Sequence, residues 1–162
     1  MSEKHFRRRI VLTLKPLHGL AVENPVYPGT PDVNFIEGWL ELKWLPRWPR
    51  VGDDDAIRIP HYTPQQRRWS ARRWARGGKV GLLLQVKEEH FLFRGDIASE
   101  FVGLVSRPLL ERLAWRHWRK GLPKQEFLSC LQQASWAPSP EESASSSTVV
   151  AEARVKRLQP SG

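Results

Sequence analysis

Residues 31–44 read Pro31-Asp32-Val33-Asn34-Phe35-Ile36-Glu37-Gly38-Trp39-Leu40-Glu41-Leu42-Lys43-Trp44, and their pattern decides the fold. Apolar and polar residues alternate on either side of a glycine, as a β-hairpin requires. A two-residue turn at Glu37-Gly38 is expected. It would set Ile36 opposite Trp39, Phe35 opposite Leu40, Asn34 opposite Glu41, Val33 opposite Leu42 and Asp32 opposite Lys43. Side chains alternate faces along a strand, so one face carries Val33, Phe35, Leu40 and Leu42. The other carries Asp32, Asn34, Glu41 and Lys43 and is expected to be wet. Any surface hairpin has a wet face, but here it holds two carboxylates and an ammonium. Two close carboxylates repel unless a cation sits between them. Mg²⁺ takes hard oxygen ligands, usually one or two carboxylates plus substrate phosphate.

Upstream, residues 2–15 read as a helix capped by Ser2 and stopped by Pro16, with Phe6, Ile10, Leu14 and Leu17 as its apolar stripe. Arg7, Arg8 and Arg9 form a basic cluster on it. Tyr27-Pro28-Gly29-Thr30 leads into the hairpin, where Gly29 could serve a plain turn or a close approach of backbone to phosphate.

Downstream, residues 45–62 hold three prolines, an Arg47-Trp48-Pro49-Arg50 run and Asp53-Asp54-Asp55. The acidic triplet reads as a solvated loop tip, with a second metal site as the alternative. Trp48 reads as packed over the sheet, with base stacking as the alternative. Residues 63–76 form a helix with Thr63 as cap, Pro64 at its first position and Gln66 at its third, a capping box. Arg67, Arg68, Arg72, Arg73 and Arg76 spread around this helix with no carboxylate among them, which favours an anionic ligand. Val80 to Val86 reads as a strand whose successive Leu82, Leu83 and Leu84 suggest a central position covered on both faces. Phe91-Leu92-Phe93 makes another strand. Residues 106–120 read as a helix carrying Trp115, Arg116, Trp118 and Arg119, and a further helix follows Pro123 with Phe127, Leu128 and Leu131 inward. From Ala137 onward Ser, Pro, Ala and Glu dominate, and disorder is expected.

The chain has 162 residues, 40% of them apolar, a net charge of +9 and a pI near 10.3. Charges after Trp136 cancel: Glu141, Glu142 and Glu152 against Arg154, Lys156 and Arg157. The surplus therefore lies on the folded part and suits a polyanionic partner. No segment approaches the ~18 apolar residues of a spanning helix, and there is no signal-peptide pattern. The single cysteine, Cys130, excludes an internal disulfide and a cysteine-rich zinc site. The five histidines show no zinc spacing.

Pro31-Asp32 followed by Glu41-Leu42-Lys43 resembles the signature of the PD-(D/E)XK nuclease superfamily. Gln66 at the start of the next helix, then Gly77-Gly78-Lys79-Val80 and an apolar strand, is similar to its VRR-NUC branch, which includes small stand-alone phage and bacterial nucleases. The resemblance covers residues 1–94. It implies an α/β fold, a restriction-endonuclease-like mixed sheet flanked by helices; the residue pattern, not the resemblance, adds 95–136 as a C-terminal helical extension and 137–162 as a disordered tail. The resemblance also implies a metal-dependent deoxyribonuclease of the bacterial or phage-infected cytoplasm, using Mg²⁺ with Mn²⁺ as substitute. Asp32, Glu41 and the Leu42 carbonyl would bind the metal. Glu3, on the first helix, is either a further ligand or a complement to the helix dipole, with Glu23 a second candidate. Lys43 would meet transition-state charge and Gln66 would orient water or phosphate. Arg67, Arg68, Arg72, Arg73, Arg76 and Lys79 would bind DNA. A homodimer acting on branched or duplex DNA fits the small size. The rival is a DNA-binding or packaging protein on a nuclease-like fold, without catalysis.

Overall fold

Phe6 and Ile10 on one face of helix α1 (Glu3–Thr13), and Leu14 at its C-cap, are completely buried. The structure, a computed structural model, describes residues 2–137 and 140–158. After α1 and a short 3-10 turn come β1 (Leu20–Ala21), β2 (Val33–Phe35), β3 (Gly38–Leu45) and α2 (Pro64–Ala75). Then follow β4 (Val80–Val86), β5 (Glu89–Arg94), α3 (Gly95–Phe101), α4 (Arg107–Leu113), β6 (Arg116–Trp118), α5 (Lys124–Gln132) and α6 (Pro140–Leu158). The six strands lie side by side in chain order. Among the described residues only β3 and β4 pair in parallel, with α2 as their crossover, so β2 and β5 run against the other four. This is an α/β fold with a mixed sheet flanked by helices, as expected, and consistent with a restriction-endonuclease-like sheet.

The sheet separates two cores. Leu40, Leu42, Leu83 and Leu92 pack with α1, α5 and Trp136 on one face. Leu82, Leu84, Phe91 and Phe93 pack with α3, α4 and the Ile57–Tyr62 segment on the other. All seven residues of β4 are buried, because that strand is central and covered on both sides.

The hairpin forms in a different register. Phe35 faces Gly38, Asn34 faces Trp39 and Val33 faces Leu40, so the turn is Ile36-Glu37. Gly38 lies in the strand without a positive φ. A Cβ there would collide with the Lys79 carbonyl oxygen, which accepts the Trp39 N–H at 3.0 Å. The glycine serves close approach of β4, not the turn. The pairing slips by two positions, which leaves every side chain on its expected face.

Two further expectations are corrected. The helix expected over 106–120 ends at Leu113, Ala114 turns extended, and Arg116–Trp118 pairs with β5. Trp118 packs edge-on against Phe127, with centroids 6.0 Å apart, and its indole N–H donates to Glu126. The tail expected to be disordered is helical over Pro140–Leu158. Val149 and Ala153, one turn apart, are buried against the core. Arg112 pairs with Glu152 and Arg154 with Glu100, each at 2.7 Å. A partner face orders a segment too polar to fold alone. Residues 138–139 and 159–162 lie outside the described residues.

Candidate active site

Thr63 begins the site. Its hydroxyl accepts the Gln66 N–H at 3.2 Å, and its own N–H donates to Gln66 Oε1 at 2.9 Å. This capping box spends only the amide oxygen of Gln66. The amide nitrogen donates to Glu41 Oε1 at 2.7 Å. Helix capping and site geometry are therefore one device. The turn before the hairpin completes it: at Gly29, φ is +91°, and a Cβ would lie 2.6 Å from the Gln65 carbonyl oxygen and 2.8 Å from the Gln66 nitrogen. Gly29 lies in a turn with a positive φ, and its close approach is to the first turn of α2 rather than to a phosphate.

Glu41 and Lys43 do not lie on a wet face. Glu41 is 1% exposed and Lys43 is 4% exposed. Both point into the face that α2 and the Ile57–Tyr62 segment cover. Lys43 Nζ sits 2.7 Å from Glu41 Oε1. Continued one residue beyond β2, the slipped register sets Asp32 toward Glu41 instead of Lys43, and the Asp32 carboxylate acts on the Glu41 carboxyl. Asp32 Oδ2 accepts the Leu42 N–H at 2.9 Å, which ties the carboxylate to β3. Burial first, and the Asp32 charge second, push the Glu41 carboxyl up to about 8, against the opposing pull of Lys43. Glu41 Oε2 is buried and has no donor among the described residues. Between Glu41 and Asp32 a hydrogen bond exists only when one carboxyl carries a proton; a divalent cation is the other way to satisfy them.

That orphaned oxygen is the test of fit for a metal, and the donor set passes it. Asp32 and Glu41 are hard ligands on adjacent strands. A third carboxylate does not join them. Among the described residues, no three His, Cys, Asp or Glu side chains come together as a metal group. Glu3 is exposed on α1, which packs on the opposite sheet face, and Glu23 pairs with Arg7 at 3.5 Å.

The basic residues divide. Arg67 turns inward: its guanidinium donates to the carbonyls of Ser99 at 3.2 Å and Val102 at 2.5 Å and stacks on Tyr62 at 4.3 Å. Burial lowers its pKa. Its position on the helix gave no warning, because the carbonyls that claim it lie more than thirty residues downstream. Lys79 donates to the Gln133 carbonyl. Arg68, Arg72, Arg73 and Arg76 remain exposed along one cleft.

Trp48 packs over the sheet, edge-on to Phe91 at 5.6 Å, with its indole N–H on Glu89 and Arg107 over its ring. Asp53, Asp54 and Asp55 form an exposed loop tip, with Asp55 accepting from Gly52 N–H at 2.9 Å. Tyr62 was not singled out by sequence. Its ring lies 6.0 Å from Lys43 Nζ and lines the buried side of the ion pair.

Comparison with known protein families, curated proteins and solved structures finds no match. Among the described residues, no helix is long and apolar enough to cross a membrane.

Proposed function

We propose that this chain is a divalent-metal-dependent endonuclease that hydrolyses DNA phosphodiester bonds in the manner of PD-(D/E)XK enzymes. The observation that carries the reading is the buried, unpartnered Glu41 Oε2 beside Asp32, within a set completed by Lys43 and Gln66. Asp32, Glu41 Oε2 and the Leu42 carbonyl would hold Mg²⁺ or Mn²⁺. The bound ion would supply Lewis-acid polarisation of the scissile phosphate and activation of the attacking water.

The chain's own residues do the rest. Gln66 and Lys43 both hold Glu41 Oε1, which fixes the carboxylate and leaves Oε2 for the cation. Lys43 brings a fixed positive charge into a site shielded from water, where it offsets charge developing on the phosphate. The exposed arginines of α2 supply phosphate contacts without base-specific groups.

The test is purified protein with Mg²⁺ or Mn²⁺ against linear duplex, single-stranded and four-way-junction DNA. Cleavage that needs the divalent ion and disappears in Asp32→Asn supports the enzyme. Binding without cleavage under every divalent condition leaves the rival, an inactive DNA-binding or packaging protein.

A further inference from the structure

Arg68, Arg72 and Arg76 recur every fourth residue and line a cleft of about 730 Å³ with Arg73, Trp69 and Tyr27. Residues four apart on a helix share a face, and successive guanidiniums on this row advance by about 6 Å. That rise is close to one nucleotide step along an extended strand. Among the described residues, none of these four arginines has a carboxylate partner. Arg7, Arg94, Arg107, Arg112, Arg116 and Arg154 all have one. Like charges one turn apart destabilise a helix unless an anion lies among them.

The cleft also presents aromatic rings. Tyr27 is 67% exposed. Its backbone is nevertheless fixed: the N–H donates to Asn24 Oδ1 at 3.0 Å and the carbonyl accepts the Thr30 hydroxyl at 2.8 Å. Trp69 is held edge-on by Trp39 at 5.3 Å, with the Arg73 guanidinium over it at 5.6 Å.

We propose that this cleft binds single-stranded DNA, with phosphates along Arg68, Arg72 and Arg76 and bases against Tyr27 and Trp69. Duplex DNA offers its phosphates to arginines but keeps its bases stacked on one another. A cationic groove combined with one exposed ring, Tyr27, and one half-buried ring, Trp69, is the chemistry of unpaired strands. The cleft borders the helix turn that holds the carboxylates: Gly29, two residues beyond Tyr27, abuts α2 at Gln65-Gln66, and Gln66 donates to Glu41. The substrate class follows, resting on the nuclease reading: DNA with an unpaired strand beside the bond to be cut.

Binding is measured by fluorescence anisotropy in EDTA, with labelled oligothymidylate and a duplex of the same length. Wild type is expected to bind the single strand at least about tenfold more tightly. Tyr27→Ala should weaken single-strand binding by about five- to tenfold, the lower part of the range for one lost base stack. Tyr27→Phe, which keeps the ring, should retain it. Arg72→Gln should flatten the salt dependence on the single strand by about 0.7 in slope. Duplex bound as tightly as single strand, or a Tyr27→Ala protein with wild-type single-strand affinity, overturns the cleft. Strand binding in EDTA with no cleavage in Mg²⁺ overturns the nuclease and leaves the cleft standing. Mg²⁺-dependent cleavage with no single-strand preference does the reverse.

Discussion

Glu41, Lys43 and Gln66 on one face of the sheet, and Arg9, Gln85 and His90 on the other, are both polar sets built around buried strand residues, and only the second satisfies itself. Gln85 Oε1 accepts from Arg9 at 2.6 Å and its amide nitrogen donates to the Lys87 carbonyl. His90 Nδ1 lies 3.1 Å from the Glu88 carbonyl and Nε2 lies 3.1 Å from Arg9. With Nδ1 protonated and Nε2 neutral, both ring nitrogens are satisfied. Burial, then the Arg9 charge, lower the His90 pKa to about 4. On the first face, Glu41 Oε2 stays open. A closed buried network specifies structure, and an open one beside a second carboxylate leaves a place for a ligand.

The comparison is sharpened most by removing the open carboxylate. Glu41→Gln and Asp32→Asn should reduce divalent-dependent cleavage to background, whereas Arg9→Met should cleave within a few-fold of wild type. Single-turnover assays at saturating Mg²⁺ decide it. A Glu41→Gln protein that cuts at the wild-type rate would remove the open oxygen from the mechanism.

Lys43→Met comes next. Cleavage should fall by about 10²–10³-fold, the scale for one electrostatic stabiliser in a shielded site. The burial of the pair changes the stability expectation as well. An exposed pair contributes roughly 0–1 kcal/mol, but breaking a buried one costs up to about 3–5 kcal/mol. Protonation of Glu41 relieves part of that cost, so urea denaturation of Lys43→Met should show a loss between those limits. A loss under about 1 kcal/mol with unchanged cleavage would make Lys43 dispensable.

The two faces should also respond oppositely to pH in metal-free protein. Glu41 is raised from 4.5 to about 8, so the folded state holds a proton that the unfolded chain releases. Its contribution to stability is complete below the unfolded value and is lost as pH rises through the folded one. Mg²⁺ and Glu41→Gln should each flatten this loss, which runs from about 4.5 to about 8. His90 is lowered from 6.5 to about 4, so its contribution is present above the unfolded value and is lost as pH falls toward about 4. His90→Gln should flatten only the acid limb. Denaturation midpoints from pH 4 to 9 would show whether the limbs are separable.

The smallest effect distinguishes arginines on one helix. Arg72→Gln and Arg73→Gln should each flatten the slope of log K against log salt on duplex DNA by about 0.9 per lost phosphate contact. Arg67→Ala should leave that slope unchanged and lower stability instead, by about 1–3 kcal/mol for carbonyls left without their charged donor. A flattened slope in Arg67→Ala would return that residue to the DNA surface.

Much of the site was legible in the chain. The capping box at Thr63 and Gln66, the stripe that begins on α1 and the Leu82-Leu83-Leu84 run of β4 are local patterns, and each formed as read. The sites of Asp32, Glu41 and Lys43 on one face survived a wrong register, because a slip of two preserves parity. What failed depended on contacts far along the chain. Trp115 to Trp118 could continue a helix by composition, but β5 offered a free edge for them to pair with.

The sequence by itself determined the alternation that faces Glu41 and Lys43 away from Leu40 and Leu42, since strand periodicity is intrinsic to the backbone. It also determined the surplus of positive charge. Only the tertiary structure decided that this face is dry, because burial is set by what packs over a strand. Here the cover comes from α2 and the Ile57–Tyr62 segment, brought back across the sheet. The same packing sent Arg67 inward, left Arg68, Arg72, Arg73 and Arg76 beside Tyr27, and gave Val149 and Ala153 a surface on which a polar tail becomes a helix. Local patterns set which way a side chain points; the long-range fold sets whether water is there to meet it.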